Sequence, residues 1–274
     1  MRMSKTWATR LLAVAVAVGV GVVVQAPPAN AGNCTDFAWI TACGSVYNST
    51  SYAVAISDNW CGDNTPRYGG SIPGCTHGTY LVSQYHWSDE LVRDTDGFRS
   101  PSGCVTKFNV ETAGADGSAW QIGGTYVEDR RGKSTSKWLK ISDDTDIYVT
   151  SRTCGSPMAK HYVSTWADAR GYQDQWCGTL GTNSTTGGGP RCAPDGWLWT
   201  ASNYFFCKVS GATVTGSNNT WNSWWLLTDL DSVNSGRDGR AFVSAYYLSG
   251  GYNDTQNNRA VYWNGSTWVD FPNC

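Results

Sequence analysis

The side chains able to do chemistry in this chain are few in kind: three histidines, three glutamates and ten cysteines among 274 residues. A zinc hydrolase needs closely placed His and carboxylate ligands, yet His77, His86 and His161 form neither a His-x-His nor a His-Glu-x-x-His pattern. A Cys–His hydrolase needs a free thiolate beside an imidazole, and an even cysteine number reads as complete pairing. The strained Gly-x-Ser-x-Gly turn of serine hydrolases is missing, since Asp116-Gly117-Ser118-Ala119 is an ordinary turn. A glycosidase needs two carboxyls of divergent acidity, one commonly a Glu in an apolar pocket, and the choice is confined to Glu90, Glu111 and Glu128. In Tyr126-Val127-Glu128-Asp129-Arg130-Arg131 the adjacent arginines predict an exposed strand end with paired acids, and His86 beside Trp87 reads as packing. The acidic runs Asp94-Thr95-Asp96-Gly97 and Asp143-Asp144-Thr145-Asp146 invite calcium. Neither completes the Asp-x-Asx-x-Asx-Gly spacing, and turn chemistry accounts for both. No catalytic residue, metal site or cofactor is therefore expected, and the sequence leans away from an enzyme.

What the chain has in excess is aromatic surface. It carries fifteen Trp and fourteen Tyr, and nine of the Trp follow Gly155, more than one small barrel can bury. Exposed Trp and Tyr faces stack on the apolar faces of sugars and on cationic groups, which suits a glycan or wall peptide. With 20 Lys+Arg against 22 Asp+Glu, the chain lacks the basic excess that binding to nucleic acid requires.

These residues must be positioned by a β framework. Residues 1–31 read as a secretory signal peptide: Arg2, Lys5 and Arg10 precede an apolar run, Leu11 to Val24, too short to span a bilayer, and Ala29-Asn30-Ala31 offers a cleavage site before Gly32. Its removal leaves 17 basic and 22 acidic residues and no further membrane segment. All ten cysteines remain, as expected for disulfides in an oxidising compartment. Cys34, Cys43, Cys61, Cys75, Cys104 and Cys154 precede Gly155-Ser156-Pro157, and Cys177, Cys192, Cys207 and Cys274 follow it. That parity suggests two modules, each closing its own bridges. Six cysteines allow fifteen pairings and four allow three; near-neighbour pairing suggests Cys177 with Cys192, and Cys207 with Cys274 would tie back the tail.

Short alternating runs separated by Gly, Asn, Asp and Ser recur through the mature chain with little helical periodicity, which predicts an antiparallel all-β protein. Val46-Tyr47 and Tyr52 to Ile56, joined by Asn48-Ser49-Thr50-Ser51, are expected to form a hairpin. A partial repeat aligns Trp138 to Asp143 with Trp224 to Asp229, each predicted to start a strand, acidic turn and strand. By alternation Val243 faces inward, Phe242 and Ser244 outward, and Trp224 lies opposite Leu227.

From Tyr162 onward the chain resembles bacterial SH3-like modules of secreted, Cys-bridged actinobacterial proteins. The residues that carry the resemblance are Thr165-Trp166-Ala167-Asp168-Ala169, Cys177-Gly178-Thr179-Leu180, Ser202 to Cys207, Trp224 to Asp229 and Val243-Ser244-Ala245-Tyr246-Tyr247-Leu248-Ser249. The insertion from Asn183 to Gly189 and the tail from Gly250 to Cys274 depart from the common pattern. Residues before Cys154 resemble only uncharacterised secreted β-proteins. The expected organisation is a β-sandwich or barrel-like module over 32–154, a linker over 155–160 and, from the resemblance, an SH3-like barrel over 161–274. The resemblance implies a secreted, noncatalytic, monomeric protein that recognises cell-wall polymer, peptidoglycan or polysaccharide, through Trp166, Trp224, Phe242, Tyr246 and Tyr247. Two other readings stand beside it: a secreted hydrolase using carboxylates of the N-terminal module, and an inhibitor or defence effector.

Overall fold

The computed structural model describes residues 34–37, 40–60, 66–70, 72, 78–113, 118–177, 192–216, 219–253 and 258–274. The expected signal peptide, Cys61, Cys75 and the Asn183 to Gly189 insertion lie outside the described residues. The chain is all-β, with short 3-10 turns at Ser88–Glu90 and Ala245–Tyr247. The first half contains β1 (Thr35–Phe37), β2 (Ile40–Ala42), β3 (Ser45–Asn48), β4 (Val54–Ser57), β5 (Arg67–Tyr68), β6 (Thr79–Val82), β7 (Gly97–Ser100), β8 (Cys104–Ala113), β9 (Ala119–Asp129), β10 (Lys137–Lys140) and β11 (Thr145–Cys154). The second contains β12 (His161–Ser164), β13 (Ala169–Tyr172), β14 (Pro194–Leu198), β15 (Ser202–Phe205), β16 (Lys208–Thr215), β17 (Trp221–Asp229), β18 (Ser232–Val233), β19 (Arg240–Ser244), β20 (Val261–Trp263) and β21 (Trp268–Asp270).

Two sheets face each other in the first half, one ordered β5-β10-β7-β4-β6 and the other β3-β11-β8-β9. Alternation decides what fills the space between them. Val54 and Ile56 of β4, Phe98 of β7 and Leu139 of β10 meet Val46, Ile147, Val149, Phe108 and Val110 of the other sheet, each buried aliphatic contributing roughly 1.5–3 kcal/mol. The alternate residues Ala55 and Trp138 pack with Trp60 and Ile72 on the opposite face of the five-stranded sheet. The expected hairpin at 46–56 does not form. β3 pairs parallel with β11, and β4 pairs antiparallel with β6 and β7 in the other sheet. Asn48 turns the chain between sheets, its amide donating to Tyr52 O (2.8 Å) and Val82 O (2.9 Å) and its oxygen accepting from Thr50 N (2.9 Å). The first copy of the partial repeat is likewise divided, because β10 and β11 belong to different sheets, whereas β17 and β19 of the second copy are neighbours.

The second half is built on one six-stranded sheet, β16-β17-β19-β13-β14-β18. Leu226, Val243, Ala169 and Leu198 face one side, covered by Val163 and Phe205 of the β12–β15 pair and by Ala260 and Phe271 flanking the β20–β21 hairpin. Trp225, Leu227, Phe242 and Tyr172 face the other side, where Val105 of β8 and Val127 of β9 join them. β19 is therefore buried along its whole length. This corrects the expectation for Phe242 and Ser244: alternation sends them opposite Val243, but that face meets the first half instead of water, and Phe242 is 2% exposed.

Among the described residues, strand pairing never crosses the segment 155–160, while packing does. Arg130, fully buried, donates to Asp238 and, within its own half, to Thr135 O at 2.8 Å. Lys133 Nζ lies 2.9 Å from Asp229, Arg240 donates to Arg131 O at 3.0 Å, and Gln175 donates to Thr125 O at 2.7 Å. Trp176 packs against the aliphatic core of the first half. Glu128 is a second correction, since it is buried and paired with Lys137 at 2.6 Å, while Asp129 takes Arg131 at 2.6 Å. Four bridges join Cys34 to Cys43, Cys104 to Cys154, Cys177 to Cys192 and Cys207 to Cys274, each within one half.

Candidate functional site

Three segments of the second half converge at one end of the six-stranded sheet. Thr165 N donates to Ala201 O (2.9 Å), and Ser249 N donates to Ser164 O (2.8 Å), so the stretch after β12 lies between the turn after β14 and the turn after β19. Asp168 Oδ1 clamps the first contact by accepting from Thr200 N (2.7 Å) and Thr200 Oγ1 (2.8 Å), and these bonds hold its carboxyl below the usual range. Trp166 stands at the junction, 45% exposed, with its indole N–H donating to Tyr246 O at 2.9 Å. Its ring centre is 5.5 Å from that of Tyr246, edge-on, and 5.7 Å from that of Tyr247, tilted by 34°.

The aromatic surface continues along β14. Trp197 and Trp199 are two residues apart, so both point away from Leu198, which is buried. Their rings are near-parallel, 5.9 Å apart and 5° between planes, and Trp199 is 45% exposed. Arg170, the partner of Trp197 in the β13–β14 register, holds its guanidinium 5.1 Å from that ring. The same charge acts on Tyr247, whose hydroxyl is nonetheless pushed upward, first by burial and then by Tyr172 and Tyr246. Gly216 is needed nearby, because a β-carbon there would collide with the Tyr246 hydroxyl. The result is a strip of indole and phenol rings flanked by one exposed carboxylate and one exposed guanidinium, with rings for stacking and polar groups for hydroxyls and amides.

Trp166, Tyr246 and Tyr247 are thus brought together as the sequence suggests, but Trp224 and Phe242 are not. Trp224 is half-buried against the face covered by the tail, donates its indole N–H to Asn258 O at 2.9 Å and carries the Lys208 ammonium 4.5 Å from its ring centre. Trp197 and Trp199 went unnoticed in the sequence, although Trp197-Leu198-Trp199 is the alternation that places two rings on one face.

Among the described residues, the other chemistry-bearing groups lie apart from these rings. His86 Nδ1 and Glu90 Oε2 are 2.6 Å apart on the surface, and Trp87 between them packs on Tyr47 and Tyr148 at 5.1 and 5.2 Å. His161 lies 4.4 Å from the Tyr262 ring, and burial lowers its basicity. His77 lies outside the described residues. A cleft of about 380 Å³ between the halves is lined by Lys107, Arg131, Ser151, Thr153, His161 and Phe206 among others, with no carboxylate side chain in its lining.

The two acidic runs, treated separately in the sequence, meet in space: one carboxylate oxygen from each of Asp94, Asp96 and Asp143 lies within 4.8 Å of the others. Burial, with neighbouring carboxylates, pushes Asp96 up to about 6 and raises Asp94 as well. No protein-family model, curated protein or solved structure matches this chain.

Proposed function

We propose that this is a secreted, noncatalytic protein that binds a glycan-containing extracellular polymer, such as peptidoglycan or another wall polysaccharide, on the strip formed by Trp166, Tyr246, Tyr247, Arg170, Trp197 and Trp199. The observation that supports it is the gathering of these rings from three segments, Trp166 and Trp199 exposed and Trp197, Tyr246 and Tyr247 half-buried, with the exposed Asp168 and Arg170 beside them. A row of flat faces fits an extended chain of sugar rings better than a small solute, which a closed pocket would enclose. The bridged β framework and the absence, among the described residues, of a helix long and apolar enough to cross a membrane are consistent with an extracellular setting. The SH3-like resemblance agrees with it.

The test is retention of purified protein on insoluble peptidoglycan and chitin, run beside release of dye from the same polymers. Retention without release is expected. Trp166→Ala and Trp199→Ala, singly, should each reduce retention at least about fivefold, in the range of one stacking contact, with melting within about 2 °C of the parent. Because stacking carries the affinity, binding should change little between low and physiological salt. Dye release, or full retention by both variants, would overturn the reading.

A further inference from the structure

The meeting of the two acidic runs has a chemistry of its own. Asp94 is 2% exposed and Asp96 8% exposed, while Asp143 is half-buried. Asp94 Oδ1 accepts from Gly44 N at 3.0 Å, but Asp94 Oδ2 is buried with no hydrogen-bond partner. An ionised carboxylate oxygen left without partner in the interior costs more than the remaining contacts return. Lys140 and Arg93 favour ionisation of Asp96 and Asp94, yet burial and the like charges outweigh them.

We infer that Asp94, Asp96 and Asp143 form a binding site for a divalent cation of the calcium type, which joins the turn before β7 to the turn after β10. Three oxygens within 4.8 Å of one another share a point no more than about 2.8 Å from each, so a side-chain shift of a few tenths of an ångström brings all three to the calcium distance of about 2.3–2.6 Å, whereas the shorter, more rigid shell of magnesium asks for a larger one. Ligand chemistry agrees, since three hard carboxylates without nitrogen or thiolate suit calcium over zinc or copper. The backbone beside the site is constrained. The carbonyls of Thr95 and Ser142 lie 2.5 and 3.0 Å from where a β-carbon on Gly44 would stand, so this residue, whose N–H holds Asp94, must stay glycine. The sequence hides the site because its two parts are separated by almost fifty residues and neither has loop spacing by itself.

The test uses the full mature chain stripped with EDTA and titrated with CaCl₂, and separately with MgCl₂, by isothermal calorimetry and by melting. About one calcium per chain is expected, with a rise in Tm of roughly 5–10 °C at a hundred times the dissociation constant and a weaker magnesium response. Asp143→Asn and Asp96→Asn should each weaken calcium binding at least tenfold. In EDTA both should melt no lower than the parent, because each removes a like charge from a buried cluster, an outcome a merely structural role would not give. If Asp96→Asn does not fold, Asp143→Asn decides, as its side chain is half-exposed. No heat and no melting shift at millimolar calcium, or parental calcium affinity in Asp143→Asn, overturns the site.

Discussion

At the joint between the halves, Asp238 meets Arg130, Glu128 meets Lys137 at 2.6 Å and Asp229 meets Arg240 at 2.8 Å. Around Gly44, by contrast, Asp94, Asp96 and Asp143 face one another. Both regions withdraw carboxylates from water, which is unfavourable unless the charge is paired. The first pairs them with cations of the same chain, drawn in part from both halves, so the pairing doubles as adhesion. The second gathers three like charges and invites a cation from solution. A buried acid is thus a statement about where its counter-charge comes from, and the answer differs within a single chain.

The largest test of this contrast is Arg130→Ala. It leaves Asp238 facing the joint without its guanidinium and empties the place over the Tyr68 ring, 5.4 Å away. Loss of about 3–5 kcal/mol is expected from urea unfolding, with a transition that broadens or splits as the halves lose their coupling. An unchanged midpoint would mean that the apolar contacts of Val105 and Val127 hold the halves by themselves.

A second test lies inside the joint, at Asp195. It is fully buried, with Arg237 at 3.3 Å but neither carboxylate oxygen hydrogen-bonded, and burial pushes it up to about 6 against the pull of Lys137 and Arg237. Between about pH 4 and 6 the folded chain keeps a proton that the unfolded chain has lost, so this group makes stability fall as pH rises through that window, by roughly 2–3 kcal/mol. Asp229 acts in the opposite sense. Although burial works against it, the bonds and charges of Arg240 and Lys133 hold it near 2, and its contribution is lost as pH falls below about 4. Asp96, also raised to about 6, acts in the same sense as Asp195, so melting should peak near pH 4–5, and Asp195→Asn should remove roughly half of the fall on the alkaline side. A parent whose melting temperature climbs steadily from pH 4 to 7 would contradict it.

The smallest expected effect sharpens the comparison from outside. Asp270 accepts from Lys208 at 2.7 Å with a side chain 73% exposed, and an ion pair open to water contributes little. Asp270→Asn should move stability by less than about 1 kcal/mol in the same urea assay. A larger loss would mean that pairing alone, without burial, sets these energies.

Much of this was legible in sequence where neighbours decide the outcome. Short alternating runs separated by turn residues match the strands, the cysteine parity matches four bridges confined to their halves among the described residues, and of the five aromatic positions expected to act together Trp166, Tyr246 and Tyr247 are neighbours. What stayed hidden depends on partners far along the chain. Every residue of β4 is buried, so no polar face marks its sheet, and the turn ahead of it looks like a hairpin when it is a crossing. Phe242 was placed correctly by alternation and wrongly by environment, because nothing local says that the outer face of its sheet is covered. Glu128 beside two arginines looks exposed until β10 brings Lys137 to it. The acid cluster needed two turns to be seen as one.

The parallel pairing of β3 with β11 bears on how such a chain comes to be folded. Ser45 and Asp146 are 101 residues apart and bond directly, in register through Val46 with Ile147. As the polypeptide is made, β3 emerges long before its partner and must wait, an apolar edge with open amide and carbonyl groups. Contacts of such high order place the search for the native topology among the slow ones, and an unpaired strand in waiting is a template for wrong partners. The sandwich can close only once β11 is present, so folding is forced to be nearly all at once, and late.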